Sequence, residues 1–217
     1  RASMTRIVPS LRALSHRRPL AALVSLAALV VPSVASAQLA PYTVEVDATP
    51  YASLSNPTTH SFQAFGNFPA DDEGSVTLSL PFTFNFYGED YDEVIAFTNG
   101  VVAFEPVSGS TSILAPASRV PRANDALDAY IAGVWQDLEF NRGTSELRTQ
   151  TLGSAPARTF VIEYEDFVRK GQPNDRINFR IELDEEDYTI RVWFGAVSGI
   201  FGSTTAIEGE DGLDGIN

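Results

Sequence analysis

SVTLSLPFTFNFYGEDYDEVIAFTNGVVAF, residues 75–104, is the stretch whose reading decides the fold. From Val76 to Phe86 every even-numbered residue is apolar: Val76, Leu78, Leu80, Phe82, Phe84 and Phe86. Ser75, Thr77, Ser79, Thr83 and Asn85 occupy the other side together with Pro81, and this period of two marks a half-buried strand. A polar turn at Tyr87-Gly88-Glu89-Asp90 follows. Val94 to Thr98 and Val101 to Phe104 then flank Asn99-Gly100, the dipeptide that most readily takes the positive φ angles of a two-residue type I′ turn. That turn predicts Phe97 opposite Val102 and Ile95 opposite Phe104 on one bulky inner face. Val94, Ala96, Val101 and Ala103 would then form the other.

Further along, the same alternation recurs. Glu146–Thr151 and Thr159–Phe167 form a second hairpin pattern, and Ile177, Phe179, Ile181 and Leu183 lead through Asp184-Glu185-Glu186-Asp187 to Tyr188, Ile190, Val192 and Phe194. Three hairpins predict an all-β fold, an antiparallel β-sandwich of jelly-roll-like character. Before the central stretch, one short strand around Tyr42, Val44 and Val46 is expected, then a loop whose Phe62, Phe65 and Phe68 tuck onto the sheet. Tyr130–Phe140 has mixed periodicity and reads as a strand entered from an Ala-rich helical turn near Asn124. No fixed-period repeat, heptad or long amphipathic helix occurs, which excludes solenoid, propeller and coiled-coil architectures.

Met4 is followed by Arg6, Arg12, Arg17 and Arg18, an apolar run from Leu20 to Val31, and Ala35-Ser36-Ala37. This is the pattern of a secretory signal peptide cleaved between Ala37 and Gln38. No later stretch approaches the roughly 20 apolar residues of a membrane helix, so a secreted or cell-surface protein is expected. The expected organisation is a leader at 1–37, an N-terminal strand and loop region at 38–74, and a sandwich domain at 75–217. Arg1-Ala2-Ser3 ahead of Met4, and the turn-like Asp214-Gly215-Ile216-Asn217, suggest a fragment of a longer protein that lacks its last strand.

Leader removal takes five of 15 Lys+Arg and none of 28 Asp+Glu, leaving ten against 28 and a formal charge of −18. No Lys or Arg lies between Gln38 and Ser118, so nucleic acid and anionic membranes are disfavoured as partners. The chain has no cysteine. It must therefore be held by its core alone, which about 180 residues can supply.

The order Leu80-Pro81-Phe82-Thr83-Phe84-Asn85-Phe86-Tyr87-Gly88, Thr98-Asn99-Gly100 with Phe104, Val134-Trp135-Gln136-Asp137-Leu138, Phe160-Val161-Ile162-Glu163-Tyr164 and Ala206-Ile207-Glu208-Gly209 resembles the extracellular NIDO-type (nidogen-like) domain found in secreted bacterial surface proteins. The resemblance covers about residues 75–215. It implies a non-catalytic recognition or cell-adhesion module with an extracellular protein or polysaccharide as partner, and an apolar strand following the final turn. The alternative is an accessory domain of a secreted hydrolase whose catalytic domain lies elsewhere.

Candidate chemistry is sparse. Beyond the leader His60 is the lone histidine, no G-x-S-x-G elbow precedes a helix, and a histidine zinc site lacks ligands. No catalytic residue and no obligatory cofactor is expected. Trp135 and Trp193 read as core more readily than as sugar platforms, and Asp137 as a residue bonding a loop backbone. Calcium is the possible ion, because it takes six to eight oxygens on flexible loops. The candidate ligands are Glu208, Glu210, Asp211 and Asp214 among Gly209, Gly212 and Gly215, with Asp184 to Asp187 as a second acidic turn.

Overall fold

The computed structural model describes residues 3–9, 42–47, 49–107, 127–199, 202–209 and 215–216. Among them there is no helix. Fifteen strands run β1 (Ser3–Pro9), β2 (Tyr42–Asp47), β3 (Thr58–His60), β4 (Gln63–Ala64), β5 (Gly74–Phe86), β6 (Glu89–Phe97), β7 (Val101–Ala103), β8 (Tyr130–Trp135), β9 (Leu138–Glu139), β10 (Glu146–Ser154), β11 (Ala157–Arg169), β12 (Gln172–Asp184), β13 (Ile190–Ser198), β14 (Thr204–Glu208) and β15 (Gly215–Ile216). They form two antiparallel sheets. One has the order β2-β1-β13-β12-β11-β10-β3 with β9 added to β11, the other β15-β14-β8-β7-β6-β5-β4. The expected sandwich is present, and the loop after β2 contributes a strand to the edge of each sheet.

The alternation read in residues 76–86 is kept. Leu78, Leu80, Phe82, Phe84 and Phe86 are buried, while Thr77, Ser79 and Thr83 face solvent. Pro81, which has no N–H to donate, sits where the ladder is interrupted: Ser79 pairs with Glu93, but Phe84 already pairs with Tyr91. Phe84 and Phe86 stack on Phe104 at 5.7 and 4.4 Å between centroids. With Tyr164, Phe179, Ile181 and Val192 from the facing sheet they make the main core.

The β6–β7 hairpin departs from expectation. Ile95 pairs with Ala103 and Ala96 with Val102, a register one residue from the predicted one. The turn is a three-residue loop, Thr98-Asn99-Gly100, in which only Gly100 takes a positive φ, +77°, and donates its N–H to Phe97 O at 3.1 Å. The pair of positive φ angles that a type I′ turn needs is found at Tyr87-Gly88 instead, at 53° and 102°, where Phe86 pairs directly with Glu89. Because side chains alternate, the slip regroups the faces. Val94, Ala96, Val102 and Phe104 enter the main core. Phe97, Val101 and Ala103, with Ile95 packed against them, join a second cluster with Leu127, Tyr130, Ala132, Trp135 and Ala206 on the other face. Burial on both faces explains the mixed periodicity of Tyr130–Trp135, all six residues of which are buried.

On the outer face of the first sheet, the segment around Tyr51 lies across β11. Tyr51 Oη donates to Glu163 Oε1 at 2.5 Å, Leu54 N donates to the same carboxylate at 3.3 Å, and Arg148 Nε donates to it at 3.0 Å. Glu163 is thereby fully buried yet matched in charge and hydrogen bonds.

Of the expected leader, residues 3–9 form β1, while the apolar run and cleavage site lie outside the described residues, as does Asn124 with most of its expected helical turn. No helix among the described residues is long and apolar enough to cross a membrane.

Candidate functional site

Four connections meet at one end of the sandwich: Phe65–Glu73 before β5, Thr98–Gly100, the Gln136-Asp137 link after β8, and Lys170-Gly171 after β11. Main-chain bonds fix them to one another. Phe140 N donates to Asp71 O at 2.7 Å, Lys170 N to Asp137 O at 2.9 Å, and Gln136 N to Asn99 O at 3.3 Å. Asp137 meets the Lys170 loop through its main-chain carbonyl.

Asn99 is the centre of this junction. Its Nδ2 donates to both carboxylate oxygens of Glu73, at 3.0 and 3.1 Å, and its Oδ1 accepts from Leu138 N at 2.8 Å. Thr98 Oγ1 accepts from Gly74 N at 3.1 Å and donates to Asp72 O. The carbonyl of Gly100 accepts from Gly133 N at 3.0 Å and Val134 N at 3.4 Å. Such bonds need a loop buried on all sides, and Thr98 and Asn99 are fully buried.

The carboxylates of Asp72, Glu73 and Asp137 converge there, each with an oxygen within 4.8 Å of the others; among the described residues they are the one such group. Lys170 forms an ion pair with Asp72. Burial pushes the Glu73 carboxyl up to about 7; the Asn99 bond opposes this, Asp72 and Asp137 reinforce it, and Lys170 opposes it. Asp137 is also raised, first by burial, with Lys170 acting against it. Asp72 Oδ1 and Asp137 Oδ1 are buried without a donor among the described residues. Three carboxylates against one ammonium can hold a proton near neutral pH, and their hard oxygens are the donor type a divalent cation takes.

Beside this cluster two shallow grooves open. One, of about 290 Å³, is lined by Ser61, Phe62, Ala70, Asp71, Phe140 and Arg142. Its neighbour, of about 380 Å³, shares Asp71, Phe140 and Arg142 and adds Glu139, Asn141, Val168 and Pro173. Phe140 stacks edge-on against Phe62 and Phe167. Arg142 lies 3.6 Å from Asp71 with its side chain 72% exposed.

Of the four residues singled out as calcium ligands, Glu208 alone is among the described residues. Glu208 is fully buried within β14, opposite Tyr130 and Gly215. Glu210, Asp211 and Asp214 lie outside the described residues. In the second acidic turn three carboxylates are engaged by the protein itself, and Glu186 is exposed. Asp184 takes Arg191 and the Thr159 hydroxyl, Glu185 takes Arg158 at 2.6 Å, and Asp187 accepts from Thr189 N at 3.0 Å. His60 Nε2 lies 2.7 Å from Thr149 Oγ1 at the sheet edge. Trp135 is core, edge-on to Tyr130, and the ring of Trp193 is covered by Arg180 at 4.8 Å. Asp72, Glu73 and Lys170 carried no signal in the sequence, because the cluster is assembled from segments far apart in the chain.

A family model described as NIDO related matches residues 41–214. No curated protein and no solved structure matches the chain.

Proposed function

We propose that this chain, which belongs to the NIDO-related family, is a non-catalytic binding module of an exported or cell-surface protein. Its recognition surface is the grooved end around Asp71, Phe140 and Arg142, and its partner is an extracellular protein or polysaccharide. The family match carries the reading, since a NIDO-related domain is of extracellular type and residues 41–214 take in β2 to β14. The chemistry agrees with binding: His60 is spent on Thr149 at a sheet edge, its pKa lowered by burial. The grooves combine an aromatic floor with an exposed arginine and acidic rims, the mixture that polar, rim-dominated recognition uses.

The test has two arms. Expression in a secreting bacterial host should release a chain whose mass begins at Gln38; retention inside the cell would overturn export. The released protein, applied to immobilised extracellular-matrix proteins and bacterial exopolysaccharides, should bind a partner, and Arg142→Glu should weaken that binding by about tenfold or more without loss of fold. Binding unchanged by Arg142→Glu would remove the grooved end from the reading.

A further inference from the structure

β1 lies between β2 and β13. Ser3 to Ile7 pair with Phe194 to Ile190, and Met4 to Pro9 with Asp47 to Tyr42. Both flanking strands are antiparallel to β1 and so parallel to each other. Since β1 is upstream of the expected cleavage after Ala37 and β2 begins downstream of it, processing would remove the middle strand and keep its neighbours. Closing the gap would need a parallel pair in an otherwise antiparallel sheet. It would also pull β2 from its anchor, because Tyr42 is 5% exposed with its ring 5.8 Å from Phe86 and 5.1 Å from Tyr87 of the facing sheet.

We infer that, within residues 38–217, processing leaves an open strand slot between β2 and β13, one strand wide, which accepts an extended segment of a partner polypeptide. The inference rests on the exported, leader-cleaved reading. The slot states the chemistry of its occupant. Five residues must run antiparallel to Ile190–Phe194, and apolar residues belong opposite Ile190, Val192 and Phe194, because Ile190 and Val192 are fully buried core residues and Phe194 packs against them. Residues 3–9 meet this poorly, with Ser3, Thr5 and Ile7 at those register positions. A strand apolar at all three has more surface to bury. A second copy is the weaker candidate: its alternating strands β5 and β10 to β13 are already paired in its own sheets, and donating one would open that sandwich.

The experiment uses the full chain exported and processed in a bacterial host, with intact mass and light scattering to establish its start and its oligomeric state. Hydrogen exchange is then followed alone, with a synthetic peptide of residues 3–9, and with that peptide carrying Ser3→Val and Thr5→Val. Expected are a monomer starting at Gln38 with fast exchange over Ile190–Phe194, protection there of about tenfold or more with peptide, and tighter binding by the divaline peptide. A processed monomer already protected without peptide, or indifferent to both peptides, overturns the slot. A processed dimer protected without peptide replaces the partner chain by a second copy and overturns that commitment. Recovery of a chain still carrying residues 3–9 overturns the proposal through its premise, and the mass alone distinguishes that failure.

Discussion

The two turns that bracket β6 are built on opposite terms. Tyr87-Gly88 is shaped by its own backbone: two residues, both at positive φ, with open space around Gly88. Asn99-Gly100 has the stronger intrinsic preference for that same turn, yet the structure gives it three residues and a single positive φ. The reason is what surrounds it. Asn99 is the hydrogen-bond hub joining Glu73 and Leu138 to the hairpin, and a Cβ on Gly100 would stand 2.1 Å from Val134 O. A turn in solvent follows local preference, whereas a turn inside the protein follows its partners.

The largest effect should come from Gly100→Ala. The substitution combines a left-handed backbone with a collision against main chain that cannot swing aside, and about 4 kcal/mol of destabilisation is expected by urea unfolding. A loss under about 1 kcal/mol would mean that the loop is free to move, and the contrast between the turns would collapse. Next comes Asn99→Ala, which leaves Leu138 N and the Glu73 carboxyl without their partner in a dry site. About 2–4 kcal/mol is expected. An exposed-turn cost of a few tenths would sink the hub assignment.

These two residues also mark where reading from sequence stops. β5 and the β10–β13 meander were legible because each has strands with a distinct dry face, so Leu78 to Phe86 and Ile177 to Leu183 announce themselves by alternation. β6, β7 and β8 were legible as strands but their faces were not, because the second cluster around Trp135 buries their outer face and erases the period. β3 and β4, at three and two residues, are too short to carry one. The register at Asn99-Gly100 was misread by trusting a dipeptide whose side chain is recruited from a distance. The motif strings did point to the right place: Thr98-Asn99-Gly100 and Trp135-Gln136-Asp137-Leu138 meet through the bond from Leu138 N to Asn99 Oδ1. What no local pattern announced is that Asp72, Glu73 and Lys170 complete the junction, since Lys170 lies 98 residues from Asp72 in sequence.

A third test uses the proton that only the buried turn has reason to hold. Glu73, facing Asp72, Asp137, Lys170 and Asn99, is raised in the folded state to about 7 from the ordinary 4.5. Folding therefore takes up a proton between those values. The associated stability is fully present below about 4.5 and is lost as pH rises through 7. Between pH 5 and pH 8 the parent should lose about 2–3 kcal/mol more than Glu73→Gln, whose amide cannot ionise. Equal losses in the two proteins would move the proton off Glu73.

The smallest effect should be at the exposed turn. Gly88 has φ +102°, and nothing lies within 4 Å of where a Cβ would stand, so Gly88→Ala meets no steric wall. Only the backbone preference acts against it, a cost of about 1 kcal/mol, partly offset because alanine has fewer unfolded conformations to give up. The ratio of the Gly100→Ala to the Gly88→Ala effect is thus the measure of the comparison, since both replace a glycine at positive φ, +77° and +102°, by the same residue and differ chiefly in surroundings. Unfolding both variants side by side reads it directly. A ratio near one would mean that backbone conformation, and not burial, sets the cost at both turns, and the recruitment of Asn99 by its neighbours would lose its energetic meaning.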